Sequence, residues 1–420
     1  MGPLKIAVEH ERGLHDATDF TVANIAPQFL AHVLNKDEKR ETGYFVKEGT
    51  LHQTEFNSVP SSSLHELCQD FLKAEKISDQ ISAELGVVNI PISETGAGLA
   101  DLNPATTHRT HGYRAIFGKE AVQRLIRISG IHLHVDQYPE RLVDQFNALT
   151  ALRPTIAFTS TSSISHEGKN SVNCHRYIVI ADPITGVFAA IPEERGYITS
   201  MDDLLKRDIE RYGKWMAAFA SPQNRQADQD FPPAYDLGTF RKHFEPENTG
   251  YPDVRFRPKI GQGTYELRIN DTAPLDIVLA QAAVVLGYVN RIMQEAVPVE
   301  ISRTKQSYFN PNKVLLPSPE TLSDYTSLAV KNGLQHPEVN TYLHNLLEFA
   351  KQGLPPQERH FLQPLYELLA EDNLASQVLN YLGGHKPTYS PAEAARANQW
   401  MWKRHKKGVA VLQERMEKRI

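Results

Sequence analysis

Three short stretches of this 420-residue chain alternate strictly between apolar and polar residues, and that alternation limits what they can become. In IHLHVD (131–136), Ile131, Leu133 and Val135 alternate with His132, His134 and Asp136. Successive side chains of a strand point to opposite faces, so one face here is apolar and the other carries two imidazoles and a carboxylate. VEHE (8–11) places Glu9 and Glu11 together, and TYELRIND (264–271) sets Thr264, Glu266, Arg268 and Asn270 against Tyr265, Leu267 and Ile269. Residues two apart on a strand stand roughly 6.5–7 Å from one another. That spacing suits two metal ions, each taking one carboxylate. Singly, each stretch has a plainer reading: a solvated strand end, a structural histidine, a surface ion pair. Together they specify one sheet face bearing Glu-x-Glu, His-x-His and Glu-x-Arg.

The surrounding chain supplies the layers. Helical spacing of apolar residues covers 21–35, 62–76 and 121–126, and a helix is expected over 140–152. Ser200 followed by Asp202 and Asp203 marks the start of a helix at 201–220. ELGVVNIPI (84–92) reads as a strand, 221–238 as an irregular loop, and 254–269 as a hairpin about Gly261–Gly263. The arm VRFRPK adds Arg255, Arg257 and Lys259, whose facing depends on the hairpin register. From 275 onward the chain is mostly helical. Strands in pairs and hairpins, without regular β-α-β alternation, predict an α+β fold with a mainly antiparallel sheet. The expected division is a catalytic domain over 1–300 and a helical C-terminal region over 301–420 packed on the same unit.

Composition narrows the class. Hydrophobic residues make up 41% of the chain, enough to bury a real core, and the net charge of −5 argues against nucleic acid as the main partner. Two cysteines, Cys68 and Cys174, exclude a disulfide framework and an all-cysteine zinc site. The apolar run from Leu275 to Met293 is interrupted by Asp276, Gln281, Asn290 and Arg291, so it reads as a core helix and no membrane span is expected. MGPLKIAVEHE lacks the apolar stretch of a signal peptide, and a cytoplasmic location is expected. Cys174–His175 suggests a thiol and its base, but neighbours on an extended segment point apart. The basic residues Lys403, Arg404, Lys406 and Lys407 read as a solvated helix face, with Arg404 as a candidate exception.

With these motifs in order, the chain resembles the glutamate–cysteine ligase and carboxylate–amine ligase family, relatives of glutamine synthetase. VEHE is similar to its first-strand Glu-x-Glu, SGIHLHV to its His strand, and GTYELRINDT to its late Glu-x-Arg strand. The stretch ending in CHRY resembles the one that closes on a substrate-side arginine, here Arg176. DVRFRPKIGQGTYELR resembles a paired-arginine hairpin, and ANQWMWKRH the Asn-x-Trp…Arg of the last helices. The resemblance implies a glutamine synthetase-like catalytic fold, a curved sheet holding ATP with Mg²⁺ or Mn²⁺. It implies transfer of the γ-phosphoryl group to a carboxylate and attack by an amine on the acyl phosphate. Glu9, His132 and Glu266 would hold one metal and Glu11 another. Arg268 would contact the phosphoryl group, His134, Arg257 and Lys259 the nucleotide, and Arg176 and Arg255 would serve the reacting groups. The partners implied are small amino-acid substrates, with glutamate as acid and cysteine as amine by family default, and a homo-oligomer is compatible.

One departure stands out. The resemblance implies an acid about seven residues after the one matching Glu84, completing the metal site of Glu11, and that position is Pro91. Either Glu84 or Glu94 takes over, or the site is impaired and the chain is a binding-only relative. A His/Glu metalloenzyme unrelated to ATP is a third reading.

Overall fold

The computed structural model describes residues 2–36, 43–94, 107–161, 164, 174–181, 195–221, 235–258, 263–304, 308–310 and 312–418. The three alternating stretches become strands of one antiparallel sheet. Its members are β1 (Ile6–Asp16), β2 (Tyr44–Lys47), β3 (Gln53–Asn57), β4 (Val87–Ile90), β5 (Gly130–Asp136), β6 (Val254–Arg257) and β7 (Thr264–Asp271). The order is β2-β3-β1-β5-β7-β6. At eleven residues β1 outruns its neighbours, so β5 pairs with its first half and β4 with its second.

The apolar face of the sheet, with Ile6, Val8, Ile131, Leu133, Val135, Val254, Tyr265 and Leu267, is fully buried. Helix Leu275–Gln294 lies among these residues in the same core. It is long and apolar enough to cross a membrane, yet 94% of that stretch is buried inside the protein. This core continues without a break from Leu4 to Leu412 through the C-terminal helices. The expected boundary at 300/301 falls inside the short strand β8 (Val299–Ile301). A second apolar cluster is built around Trp215, Phe219, Phe240 and Phe244, where helices His108–Phe117, Met201–Ala220 and Leu237–His243 meet.

Helix ends follow local chemistry. The Ser200 side chain accepts from the Asp203 amide, as its sequence signal predicts. Helix Leu64–Leu85 begins with the Ser63 side chain accepting from the Glu66 amide, and it runs far beyond residue 76 to Gly86. Gly86 takes φ +67, the left-handed conformation that ends helices cheaply only at glycine. Glu84 is therefore helical, and the expected strand starts at Val87. Pro91 lies just past the end of β4, where its missing amide breaks no ladder bond.

The reverse side of β1 anchors the C-terminal helix Pro391–Glu417. Arg12 Nη1 lies 2.5 Å from Glu75 Oε1, and Glu75 Oε2 lies 3.1 Å from His405 Nε2, all three residues being buried. Burial opposes ionisation of Glu75, but Arg12 and His405 overcome it and hold the carboxyl below its usual range. Arg404 forms a fork on Asp276, at 3.1 and 2.7 Å, tying the same helix to helix Leu275–Gln294. Arg404 is thus a scaffold residue.

Candidate functional site

Strand register assembles the polar face. Glu9 pairs with His132, His134 with Glu266, and Glu266 in turn with Arg255. Paired residues of an antiparallel ladder share a face, so four strands deliver these side chains to one patch. Glu9 receives both imidazoles, His132 Nδ1 at 2.6 Å and His134 Nε2 at 3.0 Å. His132 Nδ1 also lies 3.8 Å from Glu266 Oε1. Glu266 is ringed by guanidinia: Arg268 in direct contact, Arg255 at 3.5 Å and Arg257 at 3.7 Å.

Between the pairs Ile131–Asn270 and Leu133–Leu267 the register shifts, so two residues of β7, Arg268 and Ile269, stand opposite His132. This bulge keeps Arg268 with Glu266 but puts Asn270 opposite core-facing Ile131. The sequence expectation that Asn270 joins the polar face is thereby corrected: alternation cannot reveal a bulge.

Arg176 reaches in from helix His175–Ala181, with Nη2 3.0 Å from His132 Nε2. It crosses directly over Gly130, where a β-carbon would stand 2.7 Å from Arg176 Nε. Gly130 donates its amide to Glu11 Oε2 at 2.5 Å. Cys174 is buried with its thiol donating to Asp271, and burial, reinforced by that carboxylate, pushes the thiol well above its usual range. It is no thiolate nucleophile.

Two carboxylates that sequence reasoning missed complete the patch. Glu55 on β3 sits directly across from Glu11, and Glu48 follows β2. Glu11, Glu48 and Glu55 each bring one oxygen within 4.8 Å of the other two. Glu84, expected as a metal ligand, is instead half-exposed in the last turn of its helix and faces His32 at 3.4 Å. Glu94 is buried and bridges Ile128 through its backbone. Glu48 and Glu55 stand seven residues apart in the sequence and meet at Glu11. Lys259 lies outside the described residues.

Electrostatics divides the acids into two kinds. Burial works to raise Glu9, but hydrogen bonds and charge from His132 and His134 bring it well below the usual carboxylate range. Glu266 is likewise held low, against burial, by Arg268 and Arg255. Glu11 goes the other way, to about 8, through burial and the charge of Glu48, and Glu55 and Glu48 are raised with it, chiefly by burial. His132 falls to about 4 through burial and nearby Arg268, leaving a neutral imidazole able to ligate.

This donor set fits a hard divalent cation. Three groups, Glu9–Glu55–His132, Glu9–His134–Glu266 and Glu11–Glu48–Glu55, each hold their ligand atoms within 4.8 Å of one another. Carboxylate oxygens with at most one imidazole suit Mg²⁺ or Mn²⁺ better than a soft metal. Beside Glu9, His134 and Thr264 opens a cavity of about 580 Å³, bounded by Leu4, Val8, Pro60, Asp136 and Gln137. A smaller recess is lined by Arg268 together with Arg176, Tyr177, Arg195, Tyr251 and Asp253.

An antiparallel sheet with acids, imidazoles and arginines converging on one face defines a class, the glutamine synthetase-like ligase fold. Within it, the profile of glutamate–cysteine ligase family 2 matches residues 6–305, and the chain belongs to that family. The glutamate–cysteine ligase of Francisella tularensis, solved in complex with AMP, aligns over 99% of this chain and 93% of its own, at 11% identity and a TM-score of 0.57. A bifunctional glutathione synthetase from Pasteurella multocida aligns over 96% of this chain and 52% of its own, at 13% identity and a TM-score of 0.53. At such identities the likeness establishes the fold. No curated protein matches by sequence.

Proposed function

We propose that this protein is an ATP- and Mg²⁺-dependent ligase that joins an amino-acid carboxylate, glutamate foremost, to an amine such as that of cysteine. The carrying observation is the single sheet face on which Glu9, Glu11, Glu48, Glu55, Glu266, His132 and His134 meet Arg176, Arg255, Arg257 and Arg268. Phosphoryl transfer requires chiefly positioning and charge neutralisation, and these side chains supply both.

The roles follow from place. The cavity beside His134 and Thr264 is of a size to take the nucleotide, with its phosphates directed toward Arg257, Arg255 and Arg268. The seven acids and imidazoles would hold the cations, which when bound neutralise polyphosphate charge. Arg176, braced over Gly130, orients the acid substrate. A carboxylate oxygen of that substrate attacks the γ-phosphorus, the bond to the β-phosphate oxygen breaks, and ADP leaves. Arg268, fixed by Glu266, holds the transferring group. The amine then attacks the acyl carbonyl, phosphate departs with the bonding pair, and loss of the amine proton leaves an amide. A cytoplasmic location belongs to the same proposal.

The reading is tested by phosphate release with ATP, Mg²⁺ and pairs drawn from a panel of amino acids and amines. Release with at least one pair is expected, falling by about 100-fold or more in Glu266→Gln, the range typical of losing one preorganised electrostatic group. No release from any pair, together with no nucleotide-induced rise in melting temperature, overturns it.

A further inference from the structure

Four guanidinia lead to one short segment. Asn248 closes the 3-10 turn Pro246–Asn248, and six residues later β6 begins. The Asn248 carbonyl accepts from Arg109 Nη2 at 3.4 Å, and its Oδ1 accepts from Arg257 Nη1 at 2.9 Å. The Gly250 carbonyl accepts from Arg255 Nη2 at 2.7 Å, and the Tyr251 ring centre lies 5.6 Å from Arg268 Cζ. Gly250 takes φ +83, a turn that a side chain would disfavour. Residues 248–251 thus gather arginines from three separate elements.

Three of the four belong to the sheet. Arg109 does not: it comes from the first turn of helix His108–Phe117. Its guanidinium lies 5.9 Å from the Tyr113 ring centre and 5.6 Å from that of Phe244, and Nη2 also donates to the Tyr113 hydroxyl at 3.0 Å. Stacking and both bonds fix the plane of the fork, yet the residue stays exposed. Both bonds leave from Nη2, so among the described residues the other donors of the fork remain available. Like charges gathered this way repel. Such crowding is relieved when an anion enters.

Register indicates which anion. Arg257 pairs with Thr264 at the wall of the large cavity, and Arg255 pairs with Glu266 on the way to Arg268. Arg109 is tied to Arg257 through Asn248, which sets its guanidinium beside the sheet arginines that lead from this cavity to Arg268. We propose that Arg109 is a further phosphate-binding residue of this site, a guanidinium held over the sheet from outside it to meet the γ-phosphoryl group of ATP. This rests on the ligase reading above and assigns a residue that reading does not use.

The test is calorimetric titration of the full-length protein with Mg²⁺ and either β,γ-imido-ATP or ADP. Arg109→Met should weaken β,γ-imido-ATP by about tenfold or more, the scale of a charge-assisted hydrogen bond, and ADP by no more than about twofold. Arg109→Lys, which keeps the charge and the stem, should fall between, and it serves as the measurement if the Met variant does not fold. Equal weakening of both nucleotides, or of neither, overturns the assignment while leaving the ligase reading intact. A wild-type protein that binds neither nucleotide overturns both.

Discussion

Removing one negative charge from the Glu11–Glu48–Glu55 cluster should stabilise the metal-free protein and weaken its hold on metal. With ligand oxygens within 4.8 Å, two unit charges repel by ~3–4 kcal/mol at an effective dielectric of about 20. The shift of Glu11 from 4.5 to about 8 corresponds to ~5 kcal/mol, of the same order once burial is added. The sign follows from linkage. A carboxyl raised in the folded state keeps a proton that the unfolded chain releases, so metal-free stability falls as pH climbs from 4.5 to about 8 and then levels off. Glu55→Gln is nearly isosteric and removes the charge facing Glu11 across the ladder. At pH 9 the metal-free variant should be more stable than wild type by ~2–4 kcal/mol, a rise of a few degrees in melting temperature, with almost no difference at pH 5. Its Mn²⁺ affinity should drop by about tenfold or more, since a ligand is lost. Thermal melts of chelator-treated protein at both pH values, with Mn²⁺ titrations alongside, give the result. A variant no more stable than wild type at pH 9, or one that keeps its Mn²⁺ affinity, would refute the idea that these three acids form one cation site.

Two further outcomes follow from the geometry. Gly130→Ala puts a β-carbon 2.7 Å from Arg176 Nε and 2.9 Å from the Asn270 carbonyl oxygen, so the arginine and the adjoining strand must both give; the melting temperature should fall, and KM for the acid substrate should rise several-fold with little change in KM for ATP. Steady-state kinetics in each substrate separates the two. Arg404→Met breaks the fork on Asp276 and should lower the melting temperature by a few degrees while leaving both KM values unchanged; a rise in either would return Arg404 to the site.

The polar face was legible because alternation in a strand is a direct record of facing. Glu9, His132, His134, Glu266 and Arg268 all stand out against apolar neighbours, and the structure brings them together. Glu48 and Glu55 leave no such record, since Glu48 lies just beyond β2 and Glu55 sits in QTEFN, where no apolar alternation marks a face. Their seven-residue spacing equals the one that the resemblance implies, at 48 and 55 instead of 84 and 91. The Gly86 stop, two residues after Glu84, is the local clue that ELG closes a helix. The facing of Asn270 depends on a bulge, and Arg109 on tertiary contacts to Phe244 and Asn248, neither of which short-range pattern encodes.

The two sides of β1 have a consequence for how this sequence can change over time. Glu9 and Glu11 belong to the cation groups, while His10 and Arg12, which alternate with them, are buried with Glu75 and His405 on the reverse side. Substitution at one of these positions disturbs one side alone. A single-residue insertion or deletion at position 7 or 8 moves every later side chain to the opposite face, turning acids into the core and Arg12 toward the ligands. Lineages can therefore retune this strand letter by letter, but its reading frame is locked from both sides at once.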